Sequence, residues 1–196
     1  MNVVGSIPTT GSSRKRRMNT PEMIDVIGGM TSPLDCRDML LLAYQQAHRF
    51  SEDPNTRNGA IIIDKKGVIV GVGANRMPAV SLATPENLQA PRKYKLIEHA
   101  ERDAVYSAAR WTDSMLDGST MFCPYACCSD CARAIGLSGI RTVVVHKECM
   151  DKTPERWREP IEIGHDILKR MGVEIISWSG VIGDIENRFD GKVWTP

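Results

Sequence analysis

"YKLIEHAERDAVYSAARW", Tyr94 to Trp111, decides how this chain is read, because it sets a histidine and a glutamate two residues apart at the start of a helical segment. Alone, His99-Ala100-Glu101 is a polar helix start, and its meaning depends on what lies about thirty residues downstream. There "CCSDCARAIGLSGI" places Cys128 and Cys131 on the first turn of another helix. Exposed N–H groups and the dipole at a helix start lower thiol pKa and favour the metal-binding thiolate. One nitrogen from His99 and two sulfurs from Cys128 and Cys131 form a set suited to zinc, with a fourth position open for water as a catalytic site needs. Glu101 does not share the helix face of His99, so it suits a general acid and base facing that water better than a further ligand.

Outward from this centre, "TSPLDCRDMLLLAYQQAHRF" is expected to be the first helix, with Ser32 as cap, Pro33 in the first position and Asp35 at the positive end of the dipole. Leu40, Ala43, Ala47 and Phe50 recur at helical spacing and should face a sheet. "GAIIID" and "GVIVGVGA", separated by Lys65-Lys66, read as a hairpin of buried strands. Arg76 to Glu98 holds three prolines and no period, a loop long enough to be functional. Later, "STMFC", "IRTVVVH" and "GVEIISW" alternate with helices over Cys128 to Leu137 and Pro160 to Met171, the latter with an apolar stripe of Ile163, Ile167, Leu168 and Met171. The expected fold is α/β, with a mixed sheet whose first strands form a hairpin, whose later strands run parallel, and which helices cover on both faces.

Composition bounds the function. With 196 residues, one domain is expected. No apolar run approaches the roughly eighteen residues of a membrane span, so no membrane partner is expected. Lys plus Arg at 25 against Asp plus Glu at 24 leaves a charge of +1 and no basic field for a long nucleic acid, which favours a small substrate. Among six cysteines, the adjacency of Cys127 and Cys128 with Cys131 suits a metal or redox centre in a reducing compartment better than disulfides. Residues 1–30, with the basic run Arg14 to Arg17, are expected to be a disordered extension ahead of a possible second start at Met18, with no secretory signal. The domain is expected over residues 31–178, followed by a tail over 179–196 with little period that packs on the domain or extends from it.

H-x-E followed by C-x-x-C resembles the zinc deaminases, and the chain is similar to the cytidine deaminase superfamily, above all its deoxycytidylate (dCMP) deaminase branch. "SEDPNTRNGAIII", "VGVGANRMP", "RKYKLIEHAERDAV" and "CCSDCARAIGLSGI" carry the likeness, with Asp-Pro-Asn before a Gly-Ala strand and Lys-Tyr before His-Ala-Glu as the branch-specific parts. The resemblance implies a three-layer α/β/α cytidine deaminase-like fold with a mixed five-stranded sheet, a Zn2+ cofactor, a cytoplasmic homo-oligomer, and hydrolysis of dCMP to dUMP and ammonia by zinc-bound hydroxide. It implies that His99, Cys128 and Cys131 bind zinc and Glu101 shuttles protons. It also implies that Asn75 meets the sugar hydroxyl, the Ala100 backbone reads the pyrimidine edge, and Asn55 and Tyr94 lie near the phosphate. The family's proline before the first zinc cysteine is Cys127 here, which leaves Cys127-x-x-x-Cys131 as a competing pair, although Cys128 keeps the family gap and the alignment of "ARAI". "ANRMPAV" stands where the branch has Tyr-Asn-Gly-x-Pro-x-Gly, so regulation by dCTP and dTTP is not expected.

Other readings stand beside this one. A histidine at a helix start is more often a cap or core residue, and C-x-x-C alone also describes a redox pair or half of a structural zinc site. The two together favour the catalytic centre. Cys36, Cys123 and Cys149 read as small buried or partly buried thiols, and His48, His146 and His165 lack partners at ligand spacing. "DKTPERWR", Asp151 to Arg158, reads as a solvated connection. Open alternatives are dCTP, a modified deoxycytidylate, a nucleoside or a tRNA base as substrate. A further one is a non-catalytic zinc module in which Cys127 closes the fourth position.

Overall fold

The computed structural model describes residues 35–111 and 116–196; the expected extension, Met18, Ser32 and Pro33 lie outside them. Helix α1 (Cys36–Phe50) is capped by Asp35, whose carboxylate accepts from Arg37 N at 3.0 Å. It buries Leu40, Ala43 and Ala47 together with Met39 and Tyr44. Strands β1 (Gly59–Ile63) and β2 (Ile69–Ala74) form the expected antiparallel hairpin. Asp64 shapes its turn, its side chain accepting from Lys66 N and Val68 N at 2.8 and 2.9 Å.

The long loop is pinched at its base by backbone bonds between Arg76 and Glu98, and it contains a 3-10 turn (Val80–Leu82) and a short helix α2 (Lys93–Leu96). Helix α3 (Ala100–Trp111) follows, then β3 (Thr120–Phe122), α4 (Ser129–Leu137), β4 (Thr142–His146), α5 (Lys147–Met150), α6 (Glu155–Arg170) and β5 (Glu174–Trp178). The sheet order is β2-β1-β3-β4-β5, antiparallel on the β2-β1-β3 side and parallel across β3, β4 and β5.

Period-2 alternation sends consecutive strand residues to two cores. Ile61, Ile63, Val72 and Val144 pack with Met39, Leu40 and Tyr44 of α1. Ala60, Ile62, Val143 and Val145 pack with Ala104 of α3, Ile135 of α4 and Leu168 of α6. The sheet is thus the middle of three layers, α/β/α, and its strands carry the continuous apolar runs that two-sided burial demands. Cover thins at the edge strand β5, where Ile176 is 38% exposed.

The expected helix over Pro160 to Met171 is corrected in its start and in its apolar stripe. Helix α6 starts at Glu155 rather than Pro160, which sits in its interior. Proline marks helix starts because it lacks an N–H, but here the missing bond is borne inside a helix anchored on α4 by burial of Ile161, Gly164 and Leu168. The apolar stripe shifts accordingly, and Ile163 is left 48% exposed. Beyond β5, the tail forms a second hairpin, β6 (Asn187–Phe189) and β7 (Lys192–Trp194), and buries Ile182 in the α1 core. Among the described residues no helix is long and apolar enough to cross a membrane.

Close backbone approach fixes where α3 begins. A Cβ added at Gly73 would lie 2.2 Å from the Ala100 carbonyl oxygen and 2.4 Å from Ala104 N, both backbone atoms of α3. Gly73→Ala is therefore expected to destabilise the protein by about 1–3 kcal/mol and to displace the start of α3. A lowered urea midpoint checks this; an unchanged midpoint would contradict the packing.

Candidate metal centre and its pocket

Sequence places the three candidate ligands at the ends of elements, and the packing of α3 against α4 brings those ends together. His99 directly precedes α3, its carbonyl accepting from Asp103 N at 2.9 Å, and Cys128 is the N-cap of α4, one turn before Cys131. Their atoms close into a triangle. His99 Nδ1 lies 3.6 Å from Cys128 Sγ and 3.5 Å from Cys131 Sγ, and the two sulfurs are 3.6 Å apart. Tetrahedral zinc, with bonds of about 2.3 Å to sulfur and about 2.0 Å to nitrogen, would set sulfurs about 3.8 Å apart and sulfur about 3.5 Å from nitrogen. The donors fit that ion in kind and in spacing. Among the described residues this is the one group of three or more His, Cys, Asp or Glu side chains arranged to hold a metal.

Cys127 is buried and lines the pocket but is outside that group. Helix α6 packs tightly against it, since a Cβ at Gly164 would lie 2.2 Å from the Cys127 carbonyl oxygen. Cys127→Ala is thus expected to retain one zinc per chain by elemental analysis, whereas Cys128→Ala loses it. Zinc lost from Cys127→Ala and kept by Cys128→Ala would restore the competing register.

The electrostatics suit a metal-assisted site. A hydrogen bond from the Cys131 thiol, aided by His99 and opposed by burial, pulls Cys128 down to about 4. Burial pushes the Glu101 carboxyl up to about 7, against the pull of His99. Glu101 is 2% exposed, and its Oε2 is buried with no hydrogen-bond partner. A buried carboxylate oxygen left open in this way is costly to stability and poised to exchange a proton. Around it, Arg102 pairs with Glu98 and reaches Asp130 at 3.5 Å, tying α3 to α4. Asp103 accepts from Ala74 N at 3.0 Å and from Arg76 at 2.6 Å, locking α3 to the end of β2.

The expected substrate residues gather on one pocket. Asn55, Asn75, Tyr94, His99, Glu101 and Cys128 all line it. Ala100 does not, and its N–H donates to Asn75 Oδ1 at 3.0 Å, while Asn75 Nδ2 donates to the Thr56 carbonyl at 3.0 Å. Asn75 therefore clamps the Asp-Pro-Asn loop to the start of α3. Sequence reasoning missed a buried ion pair in the wall, Lys93 Nζ to Asp53 Oδ1 at 2.8 Å, with the same oxygen accepting from Asn55 N and Thr56 N. It also missed Arg156 and Trp157, read as a solvated connection but lining the pocket, and Phe189 of the tail. Trp157 meets Tyr94 and His99 edge-on at 5.7 and 6.2 Å, while Phe189 meets Tyr125 at 4.7 Å. The sequence signal that could have found Arg156 and Trp157 is an aromatic beside a cation in the first turn of an amphipathic helix.

Comparison with known proteins agrees with this geometry. Residues 35–147 match the family described as "Cytidine and deoxycytidylate deaminase zinc-binding region". The deoxycytidylate deaminase of Enterobacteria phage T2 is 38% identical over 79 residues, covering 40% of this chain and 37% of that protein. The deoxycytidylate deaminase of Homo sapiens is 31% identical over 112 residues, covering 54% of this chain and 60% of that protein. The chain thus spans 37% and 60% of the length of these curated relatives. The crystal structure of dCMP deaminase from cyanophage S-TIM5 in complex with dCMP and dUMP shares the fold, with TM-score 0.50 and 22% identity over 83% of this chain and 100% of that one.

Proposed function

This chain belongs to the cytidine and deoxycytidylate deaminase zinc-binding family, and on that premise we propose that it is a zinc-dependent hydrolase converting dCMP and water to dUMP and ammonia. The observation that carries this reading is the His99, Cys128 and Cys131 triangle, with Glu101 and its buried, unpartnered Oε2 on the wall of the same pocket. Zinc held by His99, Cys128 and Cys131 would supply a Lewis acid that makes water nucleophilic near neutral pH.

The chain's own side chains do the rest. Glu101 takes a proton from the attacking water and gives it to the ring nitrogen as the C–O bond forms, then takes the remaining proton from the added hydroxyl and delivers it to the amine, which leaves as ammonia as the C–N bond breaks. A carboxyl poised near neutrality serves both directions, since it can hold or release the proton at the operating pH. Asn75 fixes the floor under the sugar through its bonds to Ala100 and Thr56. Trp157 and Tyr94 form an aromatic wall that shields the reacting end from bulk water. The Lys93–Asp53 pair holds the loop that presents Asn55.

A substrate panel tests the reading. Zinc-loaded protein is given dCMP, dCTP, deoxycytidine and a tRNA anticodon stem-loop at equal concentration, and ammonia is measured. Greatest kcat/KM for dCMP is expected; turnover of the stem-loop alone would replace this reading with base editing of RNA.

A further inference from the structure

Two cations line the pocket, and their surroundings assign them different work. Lys93 is 2% exposed and bound to Asp53, whose oxygen also fixes the Asn55 and Thr56 backbone. Its charge is spent inside the wall. Arg156 sits at the mouth, 51% exposed, paired with an Asp190 that is itself 40% exposed. Tyr94 also interacts with this guanidinium. The neighbouring Trp157 reaches back to the His99 ring, so Arg156 stands at the open end of a continuous wall that begins at the metal triangle. A planar guanidinium offers a phosphate two parallel donors, and a half-exposed ion pair is weak enough to exchange.

The hairpin that presents Asp190 does not depend on that ion pair for its position. Gly191 N donates to the Asn55 carbonyl at 2.9 Å, Arg57 N to the Arg188 carbonyl at 2.9 Å, and Asp190 N to Thr56 Oγ1 at 3.2 Å. Arg188 bonds the Pro54 carbonyl at 3.1 Å, and Phe189 packs on Tyr125. The Asp190 carboxylate can therefore swing aside while the turn stays docked.

Resting on the dCMP reading above, we propose that Arg156 is the anchor for the substrate's 5′-phosphate and that Asp190 is its exchangeable counter-ion, displaced when the nucleotide binds. Asp190 thereby competes with phosphate and sets how strongly the pocket prefers a nucleotide to a nucleoside.

Opposite effects of breaking the same ion pair from its two sides test this. The readouts are the ratio of kcat/KM for dCMP over deoxycytidine, and equilibrium binding of both ligands by tryptophan quenching in zinc-loaded protein. Arg156→Gln is expected to lower the ratio about ten- to a hundredfold, chiefly through KM for dCMP, and Arg156→Lys to restore part of it. Asp190→Asn is expected to raise the ratio about two- to fivefold. The double variant follows Arg156→Gln. Arg158→Gln, on the same helix but paired with Glu155 at 3.0 Å, leaves the ratio unchanged. If both single variants lower the ratio, or both substrates suffer equally, the pair is only a structural strap and the proposal falls. The two readings fail separately. Arg156-dependent binding of dCMP without ammonia release would sink the deaminase and keep the anchor, whereas dCMP turnover with a ratio indifferent to Arg156 would do the reverse.

Discussion

Glu101→Gln is expected to reduce turnover of dCMP by about 10²- to 10⁴-fold, the span a positioned acid and base supplies, with one zinc still bound per chain. Glutamine keeps the shape of the side chain but cannot take up and return a proton. The same substitution is expected to leave stability unharmed or to raise it. In the native protein the Glu101 carboxyl is buried, its Oε2 has no partner, and burial holds its pKa near 7. An unsatisfied buried polar group costs about 1–3 kcal/mol, and removing its charge relieves part of that cost. Activity and thermal melting measured on the same zinc-loaded samples check both halves. A variant that melts well below the parent and has lost its metal would mean that Glu101 is part of the scaffold.

Removing zinc is expected to have the largest effect on stability. The triangle joins the start of α3 to the start of α4 across the end of the sheet, and it collects two sulfurs and a ring nitrogen that are ligated best when deprotonated. Zinc at a thousand times its Kd adds about 4 kcal/mol. At about 2–4 °C per kcal/mol for a chain of this size, chelation should lower Tm by roughly 10 °C. Cys128→Ala should melt like the chelated protein and gain nothing from added zinc, while Cys127→Ala should respond to zinc as the parent does. A Tm indifferent to chelator would remove the metal from the account of stability.

What the sequence made legible was local. His-x-Glu and Cys-x-x-C put reactive groups at fixed offsets along helix starts, and the β-branched runs at 61–63 and 142–145 admit few readings other than buried strands. The pocket's outer wall was hidden for the converse reason. Arg156 and Trp157 reach the site only because α6 begins earlier than Pro160 suggests, and that early start is secured by packing of Gly164 against Cys127, a contact between distant parts of the chain. Lys93 reads as a surface residue until Asp53 is placed 2.8 Å away. The tail shows no period because its strands are only three residues each, yet Ile182 and Phe189 bury it against two different surfaces. Residue type reported the chemistry, and tertiary contacts decided which neighbours surround it.

One measurement tests the central claim most directly: the stoichiometry of ammonia and dUMP released from dCMP by protein whose zinc content is determined in the same sample, beside Glu101→Gln at equal zinc. Equimolar dUMP and ammonia from the parent, lost in the variant, is the predicted result. A parent carrying one zinc per chain that releases neither product would contradict the assignment of this centre to dCMP deamination.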